Sequence, residues 1–329
     1  MTELQSSIKL SLEEARGEYI TGEYLAARYG VTRAAVCKAV AVLRSGGIQI
    51  EAHTRRGYRL PPRGILSAEG ILKYLRSSDF YDVRYSRTVT STNSILKGFA
   101  AQGAPEGTAL AASEQTSGRG RFGRSFISRP DRGIYISFII RPKGGIEDAM
   151  RVTSMAAVAV SSAIEEVSGR ETQIKWVNDI YISGKKAVGI LTEGAYNLES
   201  ASFDSAVVGI GVNILPQDDL PPELKGKVGS VYGSREESDS ADAPNRIAAA
   251  LLDNFREIYL SGGNDYMEIY CRKSMVLGKE ITVYPSAAYG AEASYPARAV
   301  DIDDKARLLV VRDSGESEWL SGGEVSVRL

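Results

Sequence analysis

Apolar residues recur at helical spacing in two short runs near the N-terminus. Leu25, Ala26 and Tyr29 share one face and end at Gly30, a residue suited to a left-handed C-cap. Thr32 then supplies a capping hydroxyl for a second helix, where Val36, Val40 and Leu43 fall at i, i+4 and i+7 before Gly46-Gly47 stops it. The period changes next. Ile48-Gln49-Ile50-Glu51 alternates, His53 to Gly57 forms a basic turn and Tyr58-Arg59-Leu60 returns, which predicts a β-hairpin. Two helices across a short turn, followed by a hairpin, outline a winged helix-turn-helix. Pro61-Pro62 closes it and sets a first domain of residues 1–63.

Residues 64–275 mix the two periods. Tyr135 to Ile140, Ile174 to Trp176, Ile180 to Ile182, Ala187 to Thr192 and Ala206 to Ile214 read as strands. Met150 to Val167 and Asn245 to Leu260 read as helices, the latter ending at Gly262-Gly263. Several strands are joined by turns too short for a crossover, Ser183-Gly184 among them, so the pattern predicts α+β with a mixed or antiparallel sheet. Helical signals vanish over 276–329. Ile281 to Tyr284, Ala297 to Ile302, Leu308 to Val311, Glu318 to Leu320 and Val325 to Arg328 predict a small closed β-barrel.

Composition supports this reading. At 329 residues, with 43% apolar and 25% charged, the chain is long enough for two or three domains with conventional cores. The net charge of −1 excludes a general polyanion binder. Yet nine basic residues face three acids between Arg16 and Arg63, a local excess of six positive charges, with Arg55, Arg56 and Arg59 in the predicted wing. A DNA-binding surface is therefore expected there and nowhere else; the bland alternative is a small helical domain with a solvated charge run. Cys37 and Cys271 are too few and too far apart for a disulfide framework or a metal cluster. No basic-then-apolar leader opens the chain, and no apolar run nears the roughly 20 residues of a membrane helix, so a cytoplasmic protein with no membrane contact is expected.

The chemistry concentrates in a few stretches. Gly118-Arg119-Gly120-Arg121-Phe122-Gly123-Arg124 contains G-x-G-x-x-G, but no helix opens after it and arginines fill the intervening positions, so the dinucleotide fingerprint does not apply. No Gly-Lys-Ser/Thr follows, which excludes a Walker A loop. What remains is a glycine loop bearing three guanidinium groups, suited to folding over a phosphate or carboxylate; an ordinary exposed basic loop is the alternative. Lys175 in Lys175-Trp176-Val177-Asn178-Asp179 ends a half-buried strand, where an amine costs desolvation unless it meets an anion. Ser91-Thr92-Asn93 reads as a plain N-cap, and Gly209-Ile210-Gly211-Val212-Asn213 as a strand kept small either for packing or for a ligand.

Taken in order, Ser91-Thr92-Asn93, Glu114-Gln115, the 118–124 loop, the Lys175 pentapeptide, Lys186-Ala187-Val188-Gly189-Ile190-Leu191, Gly209–Asn213 and Trp319…Gly322-Gly323-Glu324 resemble the motifs of biotin–protein ligases. The resemblance runs from about Arg63 to the C-terminus. The N-terminal outline places the chain with the bifunctional ligase/repressors. It implies a class II synthetase-like catalytic domain and an SH3-like C-terminal barrel. It also implies biotin and Mg·ATP as substrates, biotinyl-5′-AMP as intermediate, and a lysine of a biotin carboxyl carrier protein as acceptor. By the same resemblance Lys175, Arg119 and Arg121 are the catalytic residues, with Arg124 toward the outer phosphates. Ser91, Thr92 and Gln115 would read biotin, with Asn93 beside them in the ligand site. Gly118, Gly120, Phe126, Asn178, Gly189 and Asn213 would complete the ligand site, and Thr32, Arg33, Lys38, Arg55, Arg56 and Arg59 would meet operator DNA. No metal ligand is named, and biotinyl-AMP is expected to promote a homodimer. Three positions depart from the family: Val177 for a usual proline, Phe126 for an aromatic that is often tryptophan, and Cys37 for an aromatic in the second helix. The rivals are a ligand-sensing repressor without catalysis and a lipoate-type ligase. The only histidine, His53, lies in the wing, so histidine is excluded as general base.

Overall fold

The computed structural model describes residues 2–45, 48, 50–60, 64–142, 148–197, 202–285, 294–321 and 325–328. The chain forms two compact units, Met1–Ile65 and Leu66–Leu329.

The first unit carries α1 (Glu3–Glu14), α2 (Gly22–Tyr29), α3 (Arg33–Ser45), β1 (Glu51–His53) and β2 (Gly57–Arg59). Gly30 takes the left-handed cap conformation at φ +63°, and the Thr32 hydroxyl accepts from Ala35 N at 3.2 Å, as the pattern requires. Val36, Val40 and Leu43 of α3 are buried with Leu25 of α2 and with Ile8 and Leu12 of α1. Helix α1 escapes sequence reading because only Ile8, Ser11 and Leu12 of its twelve residues are buried. The hairpin pairs Glu51 with Arg59, starting later than the alternation from Ile48 suggested. Gly46-Gly47, Gln49 and Pro61-Pro62 lie outside the described residues.

The second unit continues with α4 (Ala68–Leu72), β3 (Asp82–Val89), α5 (Thr92–Ala101), β4 (Thr108–Gln115) and β5 (Gly133–Ile140). Next come α6 (Asp148–Ser168), β6 (Gln173–Lys175), β7 (Asp179–Ile182), β8 (Lys185–Asn197) and β9 (Ser202–Asn213). Helices α7 (Arg235–Ser240), α8 (Ala243–Ser261) and α9 (Tyr266–Arg272) follow. Seven strands form one sheet in the order β3-β4-β5-β9-β8-β7-β6, parallel only between β3 and β4, where α5 makes the crossover. Alternate residues of β5 and β9, such as Ile136, Phe138, Val208 and Ile210, bury one sheet face under α6 and α8. The other face receives Leu96 of α5 on Leu110, Ile139 and Val207, and leaves the rest of that face open for a site.

Strands β10 (Glu280–Pro285), β11 (Tyr295–Ile302), β12 (Leu308–Val311), β13 (Ser317–Leu320) and β14 (Val325–Arg328) form a second antiparallel sheet, ordered β13-β12-β11-β10-β14. Among the described residues β13 and β14 end the ladder unpaired to each other, so the sheet shows no closure by strand pairing. Gly322-Gly323-Glu324, between these strands, lie outside the described residues. The inward residues Ile281, Val283, Ala299, Leu308 and Val310 are continuous with the main core.

Candidate active site

The floor of the site starts at the N-terminus of α5. Ser91 caps the helix, its hydroxyl accepting from Ser94 N at 3.4 Å, so the plain N-cap reading holds as local structure. Gln115 Oε1, at the end of β4, accepts from Thr92 N and Thr92 Oγ1 at 2.9 and 3.1 Å, while its Nε2 donates to Ser128 Oγ at 2.9 Å. Asn93 donates through Nδ2 to Leu191 O and Glu193 Oε2, each at 3.1 Å, and accepts from Ser137 Oγ at 2.6 Å. This carboxamide lies flat on the sheet because Gly209 has no side chain: a Cβ there would stand 2.7 Å from Asn93 Cγ and nearer still to its Oδ1.

The arginine loop closes on itself over this floor. Phe126 N donates to Gly118 O at 3.0 Å and Gly120 N to Arg124 O at 2.7 Å, with a short turn at Arg121–Gly123. Phe126 rests on the bare backbone of β8 and β9: a Cβ at Gly211 would come within 2.5 Å of its ring and one at Gly189 within 2.9 Å. Of the two alternatives left open for the small residues of β9, packing is realised, Gly209 under Asn93 and Gly211 under Phe126, while both glycines also line the cavity.

The two inner arginines of the loop are held differently. Arg119 pairs with Glu193 at 3.3 Å, and Lys97 pairs with the same oxygen at 3.0 Å. Burial disfavours the charge on Glu193, but the bond from Asn93 and the two cations outweigh it and hold the carboxyl below its ordinary range. Arg121 is mostly buried and gives Nη1 to Asn178 Oδ1 at 2.9 Å, while its buried Nη2 has no hydrogen-bond partner. Burial lowers its pKa from the ordinary value, Asp179 opposes that shift, and the charge of Arg124 adds to it. A buried guanidinium with an unused nitrogen is suited to an anion.

Lys175 ends β6 half-buried, with Nζ 5.8 Å from the centre of the Tyr181 ring. The segment after it is pinned from both sides. Trp176 Nε1 donates to Ala306 O at 2.8 Å, and Tyr270 Oη to Val177 O at 3.1 Å. The Trp176–Val177 peptide is cis, and Asn178 turns back to bond Ile190 O through Nδ2 at 3.0 Å. Asp179 pairs with Lys186 at 2.7 Å. Burial first, and then Asp179, pushes the Tyr181 hydroxyl up to about 12, so it stays protonated at neutral pH.

These walls enclose a cavity of about 430 Å³. Ser91, Thr92, Asn93, Gln115, Arg119, Gly120, Arg121, Arg124, Phe126, Lys175, Asn178 and Gly189 all line it. Two expected residues do not. Gly118 is packed behind the loop, where a Cβ would strike Ser128 Oγ at 2.7 Å. Asn213 lies two residues beyond Gly211 and accepts from Gln217 Nε2 at 3.2 Å instead. Sequence reading missed Tyr181, Lys227 and Tyr284, which also line the cavity. Lys227 sits in an unpatterned segment, and Tyr284 looks like any residue of a β-strand. The cavity carries six cationic side chains, Arg119, Arg121, Arg124, Lys175, Lys186 and Lys227, against the single carboxylate of Asp179. Among the described residues no group of three histidine, cysteine or acidic side chains could hold a metal ion, and no helix is long and apolar enough to cross a membrane.

In the first unit, Lys38, Arg55 and Arg56 are exposed, and exposed Arg33 pairs with Glu23 at 3.0 Å. Arg59 is turned inward. Its Nε donates to Glu51 at 2.7 Å and its guanidinium stacks 4.5 Å over Tyr19, which carries Arg56 at 4.3 Å as well. The Thr32 hydroxyl is already used as the cap of α3.

Comparison with known proteins agrees with this layout. Residues 85–213 match the biotin/lipoate A/B protein ligase family and residues 5–59 match an HTH domain. The bifunctional ligase/repressor BirA of Bacillus spizizenii is 34% identical over 306 residues, 92% of each chain. BirA of Escherichia coli K12 is 27% identical, over 98% of this chain and 97% of that one. Among solved structures, the biotin protein ligase of Aquifex aeolicus in complex with biotin and ATP superposes with a TM-score of 0.59 at 26% identity, covering 76% of this chain and 99% of that one. A sheet roofed by an arginine loop, preceded by a winged helix and matched at this identity over nearly the whole length, makes the chain a member of the bifunctional ligase/repressor family of biotin–protein ligases.

Proposed function

We propose that the chain is an ATP-dependent biotin–protein ligase that makes biotinyl-5′-AMP and transfers biotin to a lysine of a biotin carboxyl carrier protein, and that its first unit binds operator DNA. The observation that carries the enzymatic reading is the buried Arg121 nitrogen with no hydrogen-bond partner, in a cavity of six cations and one carboxylate. Such a cavity suits two anionic substrates, ATP and the biotin carboxylate.

In the first step a biotin carboxylate oxygen attacks the α-phosphorus and pyrophosphate departs. In the second, the acceptor lysine amine attacks the mixed anhydride and AMP departs. Neither needs a protein nucleophile, and no histidine lines the cavity. Catalysis then rests on positioning and charge. Lys175 bridges the carboxylate and the α-phosphate, and Arg121 takes the adenylate phosphate on its free nitrogen. Arg119, tied to Glu193, keeps the loop closed. The polar floor of Ser91, Thr92, Asn93 and Gln115 takes the ureido ring, and Phe126 offers an aromatic face to the base. Magnesium enters as the counter-ion of ATP, since Asp179, the one lining carboxylate, is already paired with Lys186. ATP and operator DNA as ligands put this work in the cytoplasm.

For the first unit, a single winged helix neutralises few phosphates, so two copies on a two-fold axis are needed for tight, selective binding. Biotinyl-AMP, by giving the loop's arginines an anionic partner and so stiffening the closed loop, promotes that dimer. The test is biotin-dependent exchange of pyrophosphate into ATP, with gel-shift and sedimentation titrations with and without biotinyl-AMP. Exchange that does not need biotin, or no exchange at all, overturns the enzyme. DNA affinity indifferent to the adenylate overturns the corepressor role alone.

A further inference from the structure

Of the six cations in the cavity, three are matched by neighbours: Arg119 by Glu193, Lys186 by Asp179 and Arg121 by Asn178. Lys175 lies against the Tyr181 ring. Arg124 and Lys227 differ, since the side chain of neither has a hydrogen bond, ion pair or ring contact with a described residue. They sit on separate walls, Arg124 on the arginine loop and Lys227 on the segment leading to Gly229. That second wall is well fixed. Lys227 N donates to Leu224 O at 3.1 Å, Lys186 N to Lys227 O at 2.9 Å, and Gly229 N to Lys186 O at 2.8 Å. Gly229 allows this close approach, because a Cβ there would stand 2.8 Å from Lys185 Cβ. The backbone thus delivers an unmatched ammonium to a cavity already rich in positive charge, an arrangement that costs Coulomb energy until an anion enters.

On the ligase reading above, Lys175 and Arg121 account for the carboxylate and the α-phosphate. The β- and γ-phosphates carry the larger share of the charge of ATP. We propose that Lys227, together with Arg124, is the receptor for these outer phosphates and for the pyrophosphate that leaves. As the carboxylate oxygen bonds to the α-phosphorus, the bond from phosphorus to the bridging oxygen breaks and its electron pair departs on pyrophosphate. Lys227 and Arg124 balance that charge, and no proton is required. Once pyrophosphate is gone, Lys227 has no part in the transfer to lysine.

Two half-reactions of full-length Lys227→Ala separate this role from others. Biotin-dependent pyrophosphate exchange is measured against ATP concentration, and biotin transfer to a purified carrier domain is measured from biotinyl-AMP made beforehand. The expected result is a roughly tenfold to hundredfold loss of kcat/KM for ATP, the effect of one charge-assisted contact, with transfer from biotinyl-AMP unchanged. Lys227→Arg should recover most of the loss. Unchanged ATP dependence, or an equal loss in both half-reactions, overturns the assignment; the second result would make Lys227 an acceptor-docking or structural residue. Wild-type protein inert in exchange would instead fail the ligase reading itself, and the proposal with it.

Discussion

Gly209→Ala tests whether the site floor is as tightly determined as it looks. The added Cβ would lie 2.7 Å from Asn93 Cγ and 2.9 Å from Asn93 Nδ2, well inside ordinary contact distance. Asn93 is buried and bonded to Leu191 O, Glu193 and Ser137, so it cannot swing aside freely. If it does, the bonds to neutral partners forfeit roughly 1 kcal/mol each and the one to the carboxylate roughly 2. If the backbone yields instead, overpacking costs about 1–3 kcal/mol. The backbone shift is the cheaper route, so the expected loss is about 1–3 kcal/mol. Asn93→Ala alone should cost more, about 4 kcal/mol by the same per-bond figures. In the double variant the obstacle is gone, and the two effects should fall short of additivity by about the cost of Gly209→Ala itself, at least ~1 kcal/mol. Urea unfolding followed by tryptophan fluorescence reads this cleanly, because Trp176 and Trp319, the only tryptophans, both belong to the second unit. Strict additivity, or a neutral Gly209→Ala, would refute the argument that this glycine exists to seat the Asn93 carboxamide.

Three further outcomes are expected. Lys175→Ala should lower adenylation by about two to three orders of magnitude with little loss of stability, and near-normal pyrophosphate exchange would remove Lys175 from the mechanism. In the first unit, Arg59→Ala should lower the melting temperature read by circular dichroism, because it breaks the Glu51 and Tyr19 contacts. Arg55→Ala should leave melting unchanged but weaken DNA binding and flatten its salt dependence by about one ion; the reverse pattern would exchange their roles. Glu193 titrates below its ordinary value of 4.5 in the folded protein, so its contribution to stability is complete above that pH. As pH falls below 4.5 through the lowered folded value, that contribution is lost. Glu193→Gln should therefore flatten the acid limb of a stability profile, and an unchanged limb would mean that the Arg119–Lys97–Asn93 cluster does not stabilise the charge.

The helix-turn-helix was legible in the sequence because Leu25, Ala26 and Tyr29, and then Val36, Val40 and Leu43, each fall at helical spacing and caps mark the helix ends, all local signals. The strands β5 to β9 were legible for a similar reason, as apolar runs bounded by short turns. Strand β4 was not: Ala109, Ala111 and Ala112 favour no strand in isolation and become one only between β3 and β5. The arginine loop and the Lys175 segment stood out by residue type, but which arginine meets the ligand did not. On the proposed function that division rests on Glu193, seventy-four positions after Arg119, and on Asn178, fifty-seven after Arg121, which hold the two guanidiniums differently. Likewise, composition explains small residues on β9, while only the fold shows that Gly209 makes room for Asn93 and Gly211 for Phe126. Lys227 carries no local signature at all. Its place comes from backbone hydrogen bonds to Lys186, forty-one positions earlier, because long-range pairing is a property of the folded sheet and leaves no periodic trace in the chain.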